Sequence, residues 1–256
     1  MRKLNFYQFV VLIKSFFRLI LNLCIGKEYC ISCSKKTFLA PLCNDCKKKL
    51  FGELKTSDNR CKFCSRPLIS ENEICMECRE SPQTRSYSKI YALFTYRLWK
   101  KTLLFAWKMY GERSLSYFFA DCVQKALSEL KIFGDLSVLV PVPPRPNKIR
   151  KKGWDQIAEL VSILQKQYGY KVLNLLGRVS TFQQKKLNRQ ERISMQDKNY
   201  IVSKKINYYR KNKCLPKEVI LIDDVFTTGA TVESCSKLLK EIGVNRINVL
   251  TLFIVD

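Results

Sequence analysis

The sequence predicts an α/β protein: a mostly parallel sheet with helices on both faces, preceded by a small cysteine-rich module. Two observations carry this prediction. From residue 88 onward, short β-branched apolar runs alternate with segments of helical period, which is the pattern of parallel α/β sheets. Before that point, eight cysteines form four C-x-x-C pairs within residues 30–78, a segment too poor in apolar residues to build a core alone.

The predicted elements of the α/β part follow one another in order. Pro143 and Pro144 end one of the strands, because proline cannot continue a central ladder. Ligands of such sheets bind at the carboxyl ends of the strands, which places Pro143 and Asp223 at one crevice. We expect strands at residues 90–96, 138–142, 172–175, 219–222 and 249–255, and helices at residues 98–110, 114–130, 154–168 and 232–242.

The segment 219–231 carries the main functional signal. Its apolar run 219–222 is followed by Asp223 and Asp224, and then by a Thr- and Gly-containing turn at the start of a helix. A helix N-terminus favours a bound phosphate, whereas the two carboxylates would repel one. The acids are instead suited to accept hydrogen bonds from ligand hydroxyls, so a ribose 5-phosphate satisfies both halves. An ordinary strand, turn and capped helix is the alternative, and it leaves the paired acids unexplained.

This segment resembles the phosphoribosyl pyrophosphate (PRPP) motif of type I phosphoribosyltransferases. The resemblance implies a phosphoribosyltransferase type I-like sheet. It also implies that Asp223 and Asp224 hold the ribose 2′ and 3′ hydroxyls, with Mg2+ bound together with PRPP. The loop implied to cradle the 5-phosphate consists of Thr227, Thr228, Gly229, Ala230 and Thr231.

Two further segments are expected to complete the pocket. The basic run 145–152 has no acid and directly follows a strand end, so it can offset pyrophosphate charge, although a solvated basic turn has the same composition. Residues 178–192 are polar without a hydrophobic period, which is typical of a lid or of a disordered solvated loop. Lys185 and Lys186 of this lid would reach the leaving group. The other candidate substrate-binding residues are Pro144, Arg145, Lys148, Arg178 and Gln184.

The charge of the chain is strongly positive. It has 46 Lys and Arg against 22 Asp and Glu, a net charge of +24. This excess favours nucleic acid, anionic lipid or phosphorylated ligands, although a lysine-rich solvated surface gives the same balance. The sequence contains no histidine, so a metal site must use cysteines or carboxylates, and no imidazole can act as a general base.

The cysteine pairs predict two structural zinc sites. Two C-x-x-C pairs can supply the four thiolates of a closed tetrahedral site, and metal binding would then provide most of the folding free energy. Pairing in sequence order leaves gaps of nine and ten residues, but Cys46 to Cys61 comes nearer to the usual gap, so the pairing stays open. Iron–sulfur clusters and redox dithiols are the alternatives. The candidate ligands are Cys30, Cys33, Cys43, Cys46, Cys61, Cys64, Cys75 and Cys78; Cys24, Cys122, Cys214 and Cys235 are expected to be buried small residues.

Residues 1–25 predict an amphipathic helix. Lys14, Arg18 and Asn22 are spaced by four and form one narrow polar stripe. We expect this helix to be buried against the protein or a partner, with contact to a membrane surface as the alternative. The predicted domains are therefore the helix at 1–25, a double zinc ribbon at 26–80 and a phosphoribosyltransferase-like domain at 88–256.

Together these features resemble the ComF (competence protein F) family over most of the chain. The resemblance implies a cytoplasmic protein with a role in natural transformation, and single-stranded DNA and a competence helicase as partners. Family members usually have Phe/Tyr-Asn-Gln where this chain has Trp154-Asp155-Gln156, and Asn where it has Met195. The motifs shared with the family include Trp107-Lys108 with Gly111, Val140-Pro141-Val142-Pro143-Pro144, Gly153, Gln156, Arg178, Thr181, Gln184 and Glu191-Arg192.

Two functions follow from this sequence. One is an enzyme that transfers the phosphoribosyl group of PRPP to an unidentified acceptor and releases pyrophosphate. The other is a non-catalytic PRPP-sensing or scaffold protein whose zinc ribbons bind single-stranded DNA or a competence helicase. Pyrophosphate release indicates the first, and strand binding with a steep salt dependence indicates the second.

Overall fold

The computed structural model of the chain describes residues 28–38, 40–54, 59–80, 85–97, 99–129, 131–136, 138–144, 153–179, 199–212 and 215–255. The helix predicted at residues 1–25 lies outside this part of the chain, as do Cys24 and Cys214. Among the described residues, every helix is too short or too polar to span a lipid bilayer. The chain divides into two compact units, Met1–Gly52 with Leu98–Leu115, and Glu53–Arg97 with Ser116–Asp256.

The elements confirm the predicted alternation of strands and helices. The predicted helix at 114–130 ends in a π-helical turn, Lys125–Glu129. In chain order the elements are β1 Glu28–Tyr29, β2 Lys36–Thr37, α1 Asn44–Glu53, α2 Met76–Glu80, β3 Lys89–Thr95, α3 Trp99–Lys108, α4 Leu115–Gln124, β4 Ile132–Asp135, β5 Val138–Pro141, α5 Gln156–Tyr168, β6 Lys171–Val172, β7 Leu176–Arg178, β8 Tyr200–Val202, α6 Ile206–Lys211, β9 Glu218–Phe226, α7 Ala230–Glu241 and β10 Arg246–Ile254.

The first unit holds β1, β2, α1 and α3 among its described residues. The two short strands pair antiparallel, with Glu28 opposite Thr37. Leu103 and Trp107 of α3 are fully buried, as the helical period predicts. Tyr110, the last residue of the helix predicted at 98–110, is 82 % exposed, because α3 ends two residues earlier.

The second unit is built on a five-stranded sheet in the order β3-β10-β9-β5-β6, and all four pairings are parallel. The apolar residues of β9 and β10 are buried, as expected for central strands of a parallel sheet. Val232, Cys235 and Leu239 of α7 share a buried cluster with Val219 and Leu221 of β9. Helix α5 reaches β9 on the side of Asp224, so helices cover both faces and the predicted fold class is confirmed.

Three features of the second unit do not follow from the predicted elements. The strand predicted at 172–175 is present only as β6, and strands β7 and β8 form a separate antiparallel pair, with Gly177 opposite Ile201. Strand β4 and helix α6 are also additional. Cys122 and Cys235 are fully buried, as predicted for isolated small residues.

Candidate functional site

Strand β9 carries the acidic pair further inside the sheet than the sequence predicts. The expected strand ends at residue 222, but the ladder with β10 continues through Thr251 opposite Asp223 to Ile254 opposite Phe226. Asp224 is only 8 % exposed, and Asp223 is partly buried. The two carboxylates therefore lie near the end of a paired strand, and they have different neighbours because successive residues alternate between faces.

The carboxylate of Asp224 is oriented by the start of α5. Gln156 Nε2 donates a hydrogen bond to Asp224 Oδ2 at 2.5 Å. Asp155 caps the helix by accepting from Ile157 N at 3.1 Å and Ala158 N at 2.9 Å, which fixes the first turn that carries Gln156. Sequence reasoning did not include Gln156 among the site residues, although the Gly-Trp-Asp-Gln motif at the predicted helix start was the available signal.

Asp223 faces the other elements of the site. Its Oδ1 accepts a hydrogen bond from the Asp224 backbone N at 2.8 Å. Burial raises the pKa of the Cys235 thiol, and the nearby charge of Asp223 raises it further. Burial also raises the pKa of Tyr200, with a smaller contribution from Asp223. Asp223 alternates along β9 with Val219 and Leu221, which pack against α7, so its side chain lies on the α7 side of the sheet.

The turn between β9 and α7 has the geometry of an open helix N-terminus. Gly229 is the N-cap of α7 and has a φ of +81°, a conformation that L-residues rarely adopt. A Cβ at this position would lie 3.0 Å from the ring of Phe226. Thr227, Thr228 and Ala230 are exposed or partly exposed. The first turn of a twelve-residue helix is thus presented to solvent and begins shortly after the acidic pair along the chain, an arrangement that can bind an anion.

The strand pair β7–β8 brings Arg178 to the same region. The guanidinium carbon of Arg178 lies 4.9 Å from the centre of the Tyr200 ring, a cation–π contact. The Tyr200 hydroxyl lies 3.5 Å from Thr231 Oγ1 at the start of α7. Tyr200 was not identified from the sequence, because it follows a long polar segment and its role depends on contacts across the fold.

Pro144 follows β5 beside the end of β9. The backbone N of Val142 donates to Ile222 O at 2.9 Å, so the chain that leads to Pro144 remains next to the acidic strand. Pro144 is partly buried. The remaining pocket residues assigned from sequence, Arg145, Lys148, Gln184, Lys185 and Lys186, lie outside the described residues.

The eight paired cysteines form two groups, and the structure decides the pairing in sequence order. In each group the four sulfurs lie within 4.8 Å of one another. One sulfur pair in each group, Cys33 with Cys43 and Cys64 with Cys75, is 3.6 Å apart. Four sulfurs at about 2.3 Å from a tetrahedral zinc ion would be about 3.8 Å apart, so both groups fit zinc. The first group is Cys30, Cys33, Cys43 and Cys46, and the second group is Cys61, Cys64, Cys75 and Cys78.

The two four-cysteine groups repeat the same local backbone. Ser34 and Ser65, each directly after a C-x-x-C pair, have φ values of +59° and +63°. Their backbone N atoms donate to Cys30 O at 2.8 Å and to Cys61 O at 2.9 Å. In both modules the other cysteine pair lies at the start of a helix, α1 or α2. The chain therefore contains an internal repeat of one four-cysteine module.

In each module, the surroundings of the first cysteine favour its deprotonated, thiolate form. Burial raises the pKa of Cys30, but hydrogen bonds from backbone N–H groups of Cys43, Cys33 and Ser32 outweigh it and lower the pKa to about 7. The same balance of burial and backbone donors lowers the pKa of Cys61 to about 7. Backbone donors that stabilise a thiolate also suit a metal-bound sulfur, because ligating cysteines must be deprotonated.

The second four-cysteine module also covers the edge of the sheet. Arg60 Nη1 donates to Ala92 O at 2.5 Å, and Ser65 Oγ accepts from Ala92 N at 3.2 Å. Because β3 is the first strand of the sheet order, these contacts satisfy groups on its outer side.

Comparison of the sequence with known proteins finds similarity to three competence proteins. No family model matches the chain. Competence protein ComFC of Streptococcus pneumoniae (strain ATCC BAA-255 / R6) is 26% identical over 211 residues, 82% of this chain and 86% of that protein. Competence protein ComFC of Bacillus subtilis (strain 168) is 27% identical over 210 residues, 79% of each chain.

A third relative covers a similar share of the chain. Competence protein F of Haemophilus influenzae (strain ATCC 51907 / DSM 11121 / KW20 / Rd) is 26% identical over 227 residues, 86% of this chain and 94% of that protein. The two four-cysteine groups fit the double zinc ribbon that the sequence motifs imply. The three matches confirm the resemblance drawn from those motifs and relate most of the chain to the ComF family.

Proposed function

We propose that the chain binds PRPP with Mg2+ and acts as a phosphoribosyltransferase with a role in competence and DNA uptake. The observation that supports this proposal is the position of Asp223 and Asp224 at the end of β9, directly before the exposed turn 227–231 at the N-terminus of α7. The turn offers N–H groups and the positive end of a helix dipole to a phosphate. The carboxylates beside it can accept hydrogen bonds from ribose hydroxyls, so both chemical halves of a ribose 5-phosphate are accommodated.

The role in competence rests on the relatives. All three carry the name of a competence protein, and each match covers more than three quarters of this chain. We extend that role to this chain because the four-cysteine modules and the acidic strand both lie in the segments expected from the resemblance.

Different residues of the chain have different roles in the transfer reaction. The bond from ribose C1 to the pyrophosphate oxygen breaks, and a nucleophilic atom of the acceptor forms the new bond to C1. Asp223 and Asp224 hold the ribose hydroxyls, and the turn holds the 5-phosphate with hydrogen bonds of about 1.5–3 kcal/mol each. Asp223 and Asp224 would also hold Mg2+, which would offset part of the pyrophosphate charge. Arg145, Lys148, Lys185 and Lys186 are assigned to the pyrophosphate, and Arg178 and Gln184 to substrate binding.

The acceptor's proton needs a base other than histidine, because the chain has none. An Asp or Glu side chain or the substrate itself takes it. Exclusion of water by the 181–192 segment would protect the reacting centre from hydrolysis.

Calorimetric titration with PRPP and Mg2+ tests the proposal. The zinc-loaded protein should bind PRPP, and the double variant Asp223→Asn with Asp224→Asn should bind it at least about a hundredfold more weakly, a loss of about 2.7 kcal/mol. Asp135→Asn is the matched control, because the side chain of this aspartate is 88 % exposed and forms a surface ion pair with Lys131. Equal PRPP affinity in the double variant and the wild type would overturn the assignment of the acidic pair.

A binding or scaffold function is the second candidate. It is favoured by the exposed lysines near the first four-cysteine group, Lys35, Lys36 and Lys48, and by the net charge of +24. Single-stranded DNA binding that weakens steeply with salt, without pyrophosphate release from PRPP under any acceptor, would support this function. Removal of zinc should then abolish the strand binding.

A further inference from the structure

The short segment 85–88 connects the second four-cysteine group to the candidate phosphate-binding turn. Arg85 Nη2 donates a hydrogen bond to Cys78 Sγ at 3.1 Å. The same guanidinium lies 5.8 Å from the centre of the Phe63 ring, which belongs to the C-x-x-C loop between Cys61 and Cys64. Arg85 is therefore held by a sulfur ligand and by an aromatic side chain of the same four-cysteine module.

The next residue along the chain binds the first turn of α7. The backbone N of Ser86 donates to Glu233 Oε2 at 3.0 Å, and its hydroxyl donates to Glu233 Oε1 at 2.7 Å. Glu233 lies one helical turn after Gly229, since its own backbone N donates to Gly229 O at 2.8 Å. The two donors of Ser86 thus anchor the first turn of α7, directly after the turn 227–231.

Tyr87 completes the connection on the other side of the turn. Its hydroxyl lies 3.9 Å from the position that a Cβ on Gly229 would occupy. Its ring lies 5.9 Å from the guanidinium carbon of Arg85. Three consecutive side chains therefore join the sulfur of Cys78 to both ends of the first turn of α7.

Glu233 poses an electrostatic problem that this arrangement solves. A carboxylate in the first turn of a helix competes with an anionic ligand for the same donors. In this protein both carboxylate oxygens of Glu233 accept from Ser86, and Lys237 Nζ lies 4.0 Å from Oε1, so Glu233 has partners other than the N–H groups of the turn. If the segment 85–87 moves, the carboxylate loses both Ser86 donors near the place proposed for the 5-phosphate.

We propose that Arg85, Ser86 and Glu233 are positioning residues that couple metal binding at Cys61, Cys64, Cys75 and Cys78 to phosphate binding at the turn 227–231. This inference rests on the proposed PRPP site and adds its regulation. Zinc orders the sulfur of Cys78, and the sulfur orders Arg85 and the segment that follows. Linkage makes the effect reciprocal: a ligand at the turn must strengthen zinc binding at this group by the same factor.

Zinc release at equilibrium with a competing chelator measures that coupling. Mg2+ and saturating PRPP should raise the zinc affinity of one of the two sites by roughly fivefold, the low end of typical coupling between sites, and leave the other unchanged. Glu233→Ala should abolish this protection. Glu241→Ala, an exposed glutamate at the end of the same helix, is the matched control and should keep it. A role of Glu233 in stability alone would not change the ratio of zinc affinities with and without PRPP.

The outcomes separate the coupling from the proposed function. If the protein binds PRPP but releases zinc equally with and without PRPP, the coupling is overturned and the proposed function is left intact. Absence of PRPP binding to the wild type overturns the proposed function, and hydrogen exchange then tests the coupling alone.

In that case the backbone amides of peptide 227–235 should exchange several-fold faster in the double variant Cys75→Ser/Cys78→Ser than in the double variant Cys43→Ser/Cys46→Ser. The variant Glu233→Ala should show the same increase. The core peptide 218–222 serves as the reference for global unfolding. Equal exchange of 227–235 in the two cysteine variants overturns the coupling.

Discussion

Gln156 Nε2 lies 2.5 Å from Asp224 Oδ2, so the first residue of α5 holds the buried carboxylate of the acidic strand. The contact joins two segments 68 residues apart in the chain. It gives the carboxylate a fixed orientation before any ligand arrives, and such preorganisation reduces the entropy lost on binding.

Replacement of Gln156 by Ala tests this contact. Removing a hydrogen-bond donor from a buried carboxylate lowers the free energy of unfolding by about 1–3 kcal/mol. Tm should fall by roughly 2–4 °C for each kcal/mol lost. PRPP affinity should fall about tenfold, because Asp224 is no longer oriented. Thermal unfolding and calorimetry measure the two effects. Gln167→Ala, at an exposed position of the same helix, should change neither; a Gln156→Ala variant with unchanged PRPP affinity would show that Asp224 is oriented by other groups.

Gly229→Ala tests the turn. Both strain at a φ of +81° and the approach to the Phe226 ring oppose a methyl group there. We expect a loss of about 1–2 kcal/mol in stability from the backbone alone, and PRPP affinity should fall because the turn must shift. Gly169→Ala separates the two causes: its φ is +75°, but no atom lies within 4 Å of the added carbon among the residues that the structure describes. That control should lose stability and retain PRPP affinity; equal PRPP affinities of the two variants would contradict the prediction.

Arg178→Gln tests the contact between the strand pair β7–β8 and the site. Loss of the cation should remove the interaction with Tyr200, worth about 0.5–2 kcal/mol, and lower PRPP affinity. Tyr200→Phe removes only the hydroxyl near Thr231 and should leave PRPP affinity nearly unchanged. Arg210→Gln, at an exposed position of α6, controls for the loss of one positive charge. If Arg178→Gln and Arg210→Gln bind PRPP equally well, Arg178 has no specific part in the site.

Zinc removal should expose the edge of the sheet. The second four-cysteine module satisfies Ala92 N and Ala92 O on the outer side of β3 through Ser65 and Arg60. Without metal the module loses most of its folding free energy, and the uncovered edge becomes available for pairing with another chain. Light scattering after addition of a chelator should therefore rise. The variant Cys75→Ser with Cys78→Ser should self-associate without chelator, and a monomeric variant would refute the protective role.

Much of this architecture could be predicted because it depends on neighbours in sequence. The β-branched run of β9, the acids that follow it and the glycine of the turn determine a strand, a polar exit and a helix start by local chemistry. The spacing within each C-x-x-C pair likewise determines that two sulfurs can reach one metal ion.

The local signals did not decide which distant groups meet. The gaps between cysteine pairs allowed two pairings, and only the folded chain brings Cys33 to Cys43 and Cys64 to Cys75. The strand end was misplaced because hydrogen bonds to β10 carry the ladder past the acids to Phe226, although carboxylates disfavour a strand by themselves.

The sequence by itself determined which chemical groups this protein possesses and the strand or helix that presents each one, because those depend on residues a few positions apart. The tertiary structure alone decided that Gln156 orients Asp224, that Arg178 stacks on Tyr200, and that Ser86 anchors Glu233. Such contacts join residues from 22 to 147 positions apart. They form only where packing of the whole sheet makes the contact free energy exceed the entropy lost in closing the intervening chain.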